Sequence, residues 1–560
     1  MILKTDSLLR NMNFPHDEIV IAPSEIQPGH PSGPRRIDAR RLRQPLPLWD
    51  EAALRAAEAR AAAALPAHAL MDRAGRAVAA LLRARWPHAR RVLLLCGPGN
   101  NGGDGLRAAA ALASLPHAPR LQVLLVGCGE PAQWCAPHRG ADWCWALQQA
   151  RAAGLQPLRW EDSEGAALLA DSEVAVDALL GLGLREAPRG ALAQAIAALA
   201  AAACPVLAVD LPSGLQGGSA NAPGALVRAS ATLAMLGLQP GHATGPHAAC
   251  CGEIWLTHLE ADPAADGALP CALWGGGPEA LLALPPLRQA AHKGARGDLL
   301  LFGGARGMGG ALWLAARAGL ALGAGRVYAA SLDAQAPRLD PQYPEIMLRD
   351  GDELLRQAQA ADARDVCLVF GPGAGNAPAA ADWLRRLLAS PHALVIDADG
   401  LNLLAAQPRD GALWNALRAR ARPAWLTPHP SEAARLLGSG TSAVQADRLR
   451  AARALSQASG AQVVLKGAGT VIACRDGATW VNSSGNGLLA TAGTGDVLSG
   501  ALGAFLARCD DAGAAARAAV WLHAAAADLA MREDSALRAA TLPEAMLRAW
   551  AEACRPPSSL

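Results

Sequence analysis

The sequence lacks the features that mark secreted, zinc-ribbon and disulfide-exchange proteins. Its 560 residues include twelve cysteines, and no two of them form a CxxC pair. This absence excludes a zinc-ribbon or thioredoxin-like interpretation. The first 30 residues contain Asp6, Asp17 and Glu18 and no continuous apolar stretch of the kind that a secretion signal needs. We therefore expect the cysteines to be buried free thiols in a reducing cytoplasm.

The sequence also has almost no excess of charge of one sign, and it contains few lysines. The 51 basic and 49 acidic residues leave a formal net charge of +2, so no overall field favours nucleic acid or an anionic membrane as a partner. Only Lys4, Lys293 and Lys466 are lysines. One nearly all-apolar run, residues 191–209, is mostly alanine and contains Pro205. It predicts a packed helix followed by a buried strand rather than a membrane span.

The chain is too long for one ordinary domain. Apolar strands alternate with helical patterns in both halves, which predicts an α/β fold with parallel sheets. Proline and arginine crowd residues 1–45, which predicts a disordered leader, with an RNA-binding arm as the less favoured alternative. A Pro/Gly-rich break predicts a linker over 263–277, between an N-terminal domain at 46–262 and a C-terminal domain at 278–555.

The first informative segment, residues 96–105, joins a predicted strand to a predicted helix at 106–115 and reads CGPGNNGGDG. Glycines allow positive φ and close backbone approach, so the N–H groups of such a loop can surround an anion beside the helix N-terminus. The segment is neither a GxGxxG fingerprint nor a P-loop. An elaborate turn with Asp104 as a helix cap is the alternative.

Further polar residues follow neighbouring strands of the same predicted sheet, namely Asp177, Asp210 and Ser213. Because the carboxyl ends of parallel strands lie side by side, these residues can meet Asn101. Oxygen ligands of this kind suit a hard cation rather than zinc. Helix capping by Asp177 and a proline-directed turn after Asp210 are the alternatives.

The strongest motif of the second half is Gly493-Thr494-Gly495-Asp496, which opens an apolar helix. Two glycines let the backbone enclose an anion at the helix N-terminus, and Asp496 can accept the proton of a nearby hydroxyl. The combination is typical of phosphoryl transfer. A helix cap is the alternative role for Asp496.

Three other residues of this half are candidates for ligand contact. Lys466 suits a point charge on a nucleotide phosphate. His429, which stands between two prolines, is either a substrate contact or a hydrogen-bonded core histidine. For Lys293, a role in a turn is as consistent with the sequence as a ligand contact.

The motifs of the first half resemble the NAD(P)H-hydrate epimerase family. Leu70-Met71 with Ala74-Gly75, GPGNNGGDG, VDALLGLGLR and VDLPSG occur in family order over roughly residues 46–260. The resemblance implies a Rossmann-like domain, a potassium ion near Asn101, Asp177 and Ser213, and a catalytic Asp210. It also implies substrate contacts by Asn100, Asn101, Gly102, Gly103, Asp104, Gly181, Leu182, Gly183, Leu184, Arg185, Glu186, Ala187 and Asp210. Arg185 stands where many relatives have lysine.

The second half resembles the ADP-dependent NAD(P)H-hydrate dehydratase family, which has a ribokinase-like α/β fold. KG, GGxxGMxGA, GPGxG, DADGLN, TPHPxE, KGxGT and GTGD occur in family order over roughly residues 278–554. The resemblance implies a catalytic Asp496 and the use of ADP, together with magnesium. It implies nucleotide contacts by Lys466, Gly467, Ala468, Gly469, Thr470 and Gly495, and hydrated-dinucleotide contacts by Ala311, Gly373, His429 and Asp496.

Joined in one chain, the two resemblances imply cytoplasmic repair of hydrated NADH and NADPH. The first half would interconvert the R and S hydrates, and the second would dehydrate the S form with ADP, giving AMP and phosphate. The expected partners are these small molecules, with no nucleic acid and no membrane, and a homo-oligomer is compatible with the sequence. Two alternatives stay open: a small-molecule or vitamin kinase with a regulatory first domain, and a first domain that only binds ligand.

Overall fold

The computed structural model describes residues 33–42, 44–135, 140–285, 293–360 and 366–555. These residues form an eight-stranded sheet and an eleven-stranded sheet, both mainly parallel. The prediction of a two-domain α/β protein is confirmed.

The first sheet contains most of the strands that precede residue 260. In chain order the strands are β1 (Arg35–Ile37), β2 (Leu46–Leu48), β3 (Arg91–Cys96), β4 (Arg120–Leu125), β5 (Leu158–Arg159), β6 (Val174–Ala178), β7 (Val206–Val209), β8 (Ala231–Met235) and β9 (Glu253–Thr257). The spatial order is β1-β9-β8-β7-β6-β3-β4-β5, and β2 belongs to the other sheet. The chain runs outward from β3 to β5 and returns to β6 beside β3. The switch point between β3 and β6 is where open α/β sheets bind ligands.

The second sheet has the same kind of reversal in its strand order. Besides β2, its strands are β10 (Ala272–Trp274), β11 (Asp298–Gly303), β12 (Arg326–Ser331), β13 (Ile346–Leu348), β14 (Val366–Phe370), β15 (Ala393–Ile396), β16 (Trp425–Leu426), β17 (Gln462–Leu465), β18 (Val471–Ala473) and β19 (Thr479–Val481). The spatial order is β13-β12-β11-β14-β15-β16-β17-β18-β19-β10-β2, with the switch point between β11 and β14. From β13 to β17 all neighbours are parallel.

Helices cover both faces of the first sheet. The helices of this half are α1 (Glu51–Ala64), α2 (Ala69–Arg85), α3 (Asn100–Ala113), α4 (Ala141–Ala152), α5 (Gly165–Asp171), α6 (Gly190–Ala200) and α7 (Pro240–Ala243). Leu94 and Cys96 of β3 pack in one buried cluster with α2, α3 and α4, whereas Leu93 and Leu95 pack in another with α5 and α6. Each such fully buried side chain contributes about 1.5–3 kcal/mol through loss of apolar surface.

The second sheet is covered in the same way. Its helices are α8 (Gly277–Leu282), α9 (Gly309–Ala321), α10 (Gly351–Ala360), α11 (Pro378–Leu388), α12 (Asp399–Ala405), α13 (Ala412–Arg418), α14 (Pro430–Leu437), α15 (Thr441–Ala446), α16 (Arg448–Ser459), α17 (Thr494–Leu506), α18 (Ala512–Arg532) and α19 (Leu542–Ala553). Leu299 and Leu301 pack in one cluster with α9 and α17, while Leu300 and Phe302 pack in another with α10 and α11.

The prediction of a disordered leader over residues 1–45 is wrong for its described part. Strand β1 pairs antiparallel with β9 at the edge of the first sheet, and β2 pairs with β10 in the second sheet. Between them Arg40 lies 3.5 Å from Asp528. Edge strands offer unpaired backbone groups to any segment that reaches them, which gives this segment its structure. Residues 1–32 lie outside the described residues.

The predicted linker, residues 263–277, is also wrong in part, because it contains β10. This strand pairs with β19 on one side and with β2 on the other. The Trp49 N–H, next to β2, donates to the Leu238 carbonyl of the first half at 2.8 Å. The two halves are therefore joined by backbone hydrogen bonds and not only by a tether.

The GPGNNGGDG segment is mostly helix rather than loop. Helix α3 begins at Asn100, and Gly99 is its N-cap, so Asp104 lies inside the helix and is not a cap. None of the glycines in this segment has a positive φ. They allow close packing instead: a Cβ on Gly102 would lie 1.9 Å from the Gly97 carbonyl oxygen, and one on Gly105 would lie 2.6 Å from Ala178 Cβ.

The apolar run at 191–209 forms helix α6 and strand β7, as predicted. Within the part of the chain that the structure describes, no helix combines the length and apolar character that crossing a membrane would require.

Candidate functional site

A cavity of about 830 Å³ lies at the carboxyl edge of the first sheet, over the β3–β6 switch point. Residues 98–101 at the start of α3 form one wall, and residues 179–185 after β6 form another. Helix α1 and the segment from Leu65 to Met71 complete the rim. The volume suits a ligand of cofactor size.

Asp210 is a buried acidic residue in the wall of this cavity. It follows β7 with φ +65°, a left-handed conformation that aspartate adopts at a cost and that collects at functional positions. Burial, together with the charge of Glu58, raises the pKa of its carboxyl to about 7. Oδ1 is buried and has no hydrogen-bond partner among the described residues. Asp210 is thus a carboxyl that can take up and release a proton near neutral pH.

Asp104 and Glu58 make this part of the cavity acidic. Burial raises the pKa of Asp104 well above its usual range, and the carboxylates of Asp210, Glu58 and Asp142 add to the effect. Asn100 Nδ2 donates to Glu58 Oε1 at 3.2 Å, which ties the first turn of α3 to α1. A substrate that brings a positive or neutral hydrogen-bond donor would relieve this repulsion.

Asn101 and Ser213 bind the backbone of Leu180, and Asp177 binds Ser213 and the Leu179 N–H. Ser213 donates to Asp177 through both its hydroxyl, 2.6 Å from Oδ1, and its N–H, 2.8 Å from Oδ2. Asn101 Nδ2 donates to the Leu180 carbonyl at 3.0 Å, and the Leu180 N–H donates to Ser213 Oγ at 2.9 Å. Burial raises the pKa of Asp177 to about 6, against the lowering effect of the Ser213 bonds.

The structure brings most of the predicted epimerase residues to this cavity. Those that line it are Asn100, Asn101, Asp104, Gly181, Leu182, Gly183, Leu184, Arg185 and Asp210. Four others do not. Gly102 and Gly103 pack against Gly97 and Met71, Glu186 pairs with Arg189 at the surface, and Ala187 packs beside Gly224.

Sequence reasoning missed several charged residues of the cavity wall. Arg55 and Glu58 lie on the alanine-rich α1, and nothing in its pattern marks either residue. His68 and Asp142 form a pair in which Nδ1 and Oδ1 are 2.5 Å apart, and the His68 ring stacks on Trp145 at 4.9 Å. These residues come from separate segments of the chain, so only the fold brings them together.

The second candidate site lies at the N-terminus of α17. Gly493 is its N-cap with φ +87°, and the ammonium group of Lys466 lies 3.1 Å from where a Gly495 Cβ would stand. Lys466 Nζ donates to Asp397 Oδ1 at 2.8 Å. A helix N-terminus beside a lysine is a favourable place for a phosphate group.

Asp496 lies in the first turn of this helix and is half-buried. Burial and the nearby Asp397 raise the pKa of its carboxyl to about 7, against the lowering effect of Lys466. The pKa of Lys466 is raised as well: burial lowers it, but Asp397 and Glu432 outweigh burial. The site thus pairs a charged ammonium with a carboxyl that ionises near neutrality.

His429 is the N-cap of α14. Its Nδ1 accepts from the Ser431 N–H at 3.2 Å and faces Ser431 Oγ at 2.9 Å, while its backbone N–H donates to Glu432 Oε2. Burial, Lys466 and Arg435 lower the pKa of the ring, which stays neutral and half-exposed at the site. The other ring nitrogen, Nε2, lies 3.3 Å from Glu432 Oε1, so both nitrogens of His429 already face groups of α14.

Two more predicted contacts lie together on the far side of the second site. Gly373 has φ +60°, and a Cβ there would be 2.4 Å from the Met308 carbonyl oxygen and 3.3 Å from Ala311 Cβ. The remaining predicted residues form the loop between β17 and β18, which contains Gly467, Ala468, Gly469 and Thr470. Gly467 and Gly469 both have positive φ, so this loop has a conformation that other residues rarely adopt.

Asp397, Ser499 and His523 were absent from the predicted site, although Asp397 lies in one of the quoted motifs. Ser499 Oγ donates to Asp397 Oδ2 at 2.6 Å. His523 Nε2 lies 2.9 Å from the Thr494 carbonyl, and burial lowers its pKa to about 4, so the ring is neutral. Ser499 and His523 lie inside the protein and support the first turn of α17. Sequence spacing gives no signal for either residue.

The fold and the two sites define a class of enzyme with two α/β modules, one with an acidic ligand cavity and one with an anion site beside an ionisable carboxyl. Residues 67–241 match the family model described as YjeF-related protein N-terminus, and residues 299–548 match the one described as NAD(P)H-hydrate dehydratase. The chain belongs to the family of bifunctional NAD(P)H-hydrate repair enzymes.

Three similar proteins illustrate this relationship. The bifunctional NAD(P)H-hydrate repair enzyme of Coxiella burnetii is 36% identical over 471 residues, covering 83% of this chain and 90% of that protein. The Escherichia coli enzyme is 34% identical over 478 residues, covering 83% and 85%. A crystal structure of the ADP/ATP-dependent NAD(P)H-hydrate dehydratase of Bacillus subtilis, with ATP and Mg²⁺, is 30% identical, covers 50% of this chain and 98% of that chain, and has a TM-score of 0.44.

Proposed function

We propose that this protein repairs hydrated NADH and NADPH, with the first domain interconverting the R and S hydrates and the second dehydrating the S hydrate at the expense of ADP. Membership of the family supports this pair of activities. The observation that carries the assignment within the chain is the presence of two separate carboxyls, Asp210 and Asp496, each in its own site with a pKa of about 7.

In the first domain Asp210 moves the proton during epimerisation. Its carboxyl is buried at the cavity wall and ionises near neutrality, so it can serve as base and then as acid within one turnover. Asn100, Asn101 and residues 181–185 hold the hydrated dinucleotide around it. Gly102 and Gly103 act only by letting α3 pack closely enough to form the wall.

Potassium is the cation that we assign to the first domain. Asn101, Asp177 and Ser213 would hold it, with side-chain oxygens only and one carboxylate, a donor set that fits a monovalent ion better than a divalent one. Both oxygens of Asp177 already accept bonds from Ser213, so the group is arranged before any ion binds. The ion would supply positive charge near a cavity that is otherwise acidic.

In the second domain the loop at 466–470 binds ADP, and the N-terminus of α17 receives the transferred phosphoryl group. Asp496 takes the proton of the ring hydroxyl, and phosphorylation turns that hydroxyl into a good leaving group. Lys466 compensates the charge that develops on the phosphate, while Ala311, Gly373 and His429 contact the hydrated dinucleotide.

Magnesium is the second ion that we assign, together with ADP. Across the described residues no three His, Cys, Asp or Glu side chains gather as a metal cage. Magnesium typically uses one or two carboxylates and completes its shell with phosphates and water, so Glu432, whose Oε2 lies 4.0 Å from Lys466 Nζ, fits that use.

We also assign the protein to the cytoplasm. All twelve cysteines are free thiols, and most are buried or half-buried. Burial raises the pKa of the Cys96 and Cys271 thiols, for example, which keeps them protonated and unreactive. This use of cysteine is typical of proteins in a reducing compartment.

The test is to incubate the protein with a mixture of R and S NADH hydrate, with and without ADP, and to separate the epimers and NADH by chromatography. With ADP, both epimers should disappear into NADH, and AMP and phosphate should form. Without ADP, a sample enriched in one epimer should return to the equilibrium mixture. Asp210→Asn should abolish the return to the equilibrium mixture, so that with ADP only the S hydrate is consumed rapidly, whereas Asp496→Asn should abolish ADP-dependent dehydration and leave epimerisation intact.

A further inference from the structure

A hydroxyl group of the first domain binds the loop that we assign to ADP in the second domain. Thr244 follows α7 and is buried. Its Oγ1 lies 2.6 Å from the Gly469 carbonyl oxygen, to which it donates, and 3.1 Å from that of Ala468. The Gly245 N–H donates to the Ala468 carbonyl at 3.1 Å. Two consecutive residues of one domain therefore hold two consecutive carbonyls of the other.

A buried arginine closes this contact from the second domain. Arg448, at the start of α16, is 1% exposed, and its Nε donates to Thr244 Oγ1 at 3.1 Å. One terminal nitrogen of the same guanidinium donates to the carbonyls of Leu465, at 3.0 Å, and Lys466, at 3.1 Å. Because Thr244 accepts from Arg448 and donates to Gly469, its hydroxyl is fixed in direction from both sides.

The loop backbone also lies directly on the first domain. Gly469 has φ +59°, and a Cβ there would lie 2.2 Å from the Ala243 carbonyl oxygen and 2.7 Å from Thr244 Cα. Gly467 has φ +131°, so the loop holds two residues in conformations that are costly for most amino acids. Glycine adopts both conformations readily; the surroundings of Gly469 come from Ala243 and Thr244 of the first domain, and those of Gly467 come from Arg448 of the second.

We propose that Thr244 is a positioning residue for ADP: its hydroxyl fixes the 466–470 loop, so the first domain sets the nucleotide affinity of the second. The proposal rests on the assignment of that loop to ADP. Thr244 would act through the carbonyls of Ala468 and Gly469, which its hydroxyl binds. A dehydratase domain without its partner domain would lack this hydroxyl.

The experiment compares Thr244→Val with Thr244→Ser in the full chain, measuring ADP-dependent dehydration of the S hydrate at varied ADP. Valine keeps the shape but leaves buried groups of Arg448 and Gly469 unpaired, whereas serine keeps the hydroxyl. We expect Thr244→Val to raise the KM for ADP about tenfold with kcat within about twofold, and Thr244→Ser to stay near wild type. Epimerisation should be unchanged in both.

The matched control is Thr232→Val. Thr232 is also buried in the first domain, and its Oγ1 donates to the Cys251 carbonyl at 2.7 Å inside that domain. It should leave the KM for ADP unchanged even if it lowers stability. A KM that rises equally in this control would overturn the proposal, because the effect would then be a general loss of stability.

Lys466→Gln separates the two ways in which the experiment can fail. If it raises the KM for ADP while Thr244→Val leaves it unchanged, the loop binds ADP but Thr244 does not position it. If neither variant changes the KM, the assignment of the loop is wrong and the proposal falls with it.

If Thr244→Val does not fold, hydrogen exchange in the wild-type chain tests the proposal instead. ADP should slow the exchange of the Gly245 amide, and an unchanged rate would overturn the proposal.

Discussion

Lys466 and Asp397 form a buried ion pair with Nζ 2.8 Å from Oδ1, and Ser499 Oγ binds the other carboxylate oxygen at 2.6 Å. The pair links the end of β15 to the 466–470 loop and directs the ammonium toward Gly495. Lys466 is therefore held in place before any phosphate arrives. Such preorganisation avoids the cost of ordering a flexible side chain when the ligand binds.

Asp397→Asn should destabilise the second domain. The substitution keeps the shape but leaves the Lys466 ammonium without its closest counter-charge, and breaking a buried pair in this way costs about 3–5 kcal/mol. Urea unfolding should show a lower midpoint, and the KM for ADP should rise. Asp476→Asn, at an exposed turn, is the control. Equal midpoints for both variants would mean that the pair contributes little to stability.

Asp496→Asn should preserve folding and ADP binding but lower the rate of dehydration by about 10²–10⁴-fold, the usual scale for a positioned acid–base group. Calorimetric titration with ADP separates binding from chemistry, and epimerisation in the same sample is the internal control. Turnover near the wild-type level at saturating ADP would remove Asp496 from the mechanism.

The pH dependence of dehydration should follow the Asp496 carboxyl. Burial and the neighbouring Asp397 raise its pKa to about 7. A base must be deprotonated to act, so kcat/KM should rise with pH to about 7 and then level off. A flat profile between pH 5.5 and 8 would exclude a base with this pKa.

Much of the fold follows from local sequence pattern, but the two short N-terminal strands, β1 and β2, do not. The apolar run at 191–209 predicted the helix and the buried strand that form α6 and β7. Strands β1 and β2 were missed because their partners lie more than 200 residues away, and the local sequence is rich in arginine and proline. A strand of three residues is set by the edge that it joins rather than by its own propensity.

The site shows the same division. Glycine-rich motifs indicated the carboxyl edges of both sheets, because such segments allow backbone to approach backbone or ligand closely. Glu58, Asp142 and His523 carried no signal, since each lies in a helix where nothing distinguishes it from a surface or core residue. The role of glycine was also misjudged in α3, where close helix packing, rather than positive φ, requires it.

Asp210→Asn should stabilise the protein at pH 8 and do so less at pH 5. Burial raises the pKa of the folded-state carboxyl to about 7, above its unfolded value. The folded state therefore binds more protons between pH 4 and 7, and the stability due to Asp210 falls as the pH rises through that window. Removing the charge should raise the free energy of unfolding at pH 8 on the order of 1 kcal/mol. Thermal unfolding at both pH values measures this, and a stabilisation that is larger at pH 5 would contradict the sign.

A fragment of residues 262–555 should dehydrate the S hydrate and leave the R hydrate to its slow spontaneous epimerisation. It retains β10, whereas a fragment that starts at Pro278 loses this strand and exposes the edge of β19. The shorter fragment should therefore be less stable and less soluble. Rapid loss of both epimers with either fragment would show that epimerisation does not belong to the first domain.

Epimerisation should require a monovalent cation that the dehydratase does not share. Asn101, Asp177 and Ser213 offer oxygens around Leu180 with a single carboxylate, so potassium suits them better than magnesium or zinc. Metal-free protein should epimerise faster in potassium buffer than in one whose only cation is bulky and organic. Asp177→Asn should weaken hydrate binding and remove this difference, while the ADP-dependent reaction on pure S hydrate continues at an unchanged rate in potassium buffer. Equal epimerisation rates and equal hydrate affinity in the two buffers would exclude the cation from the first site.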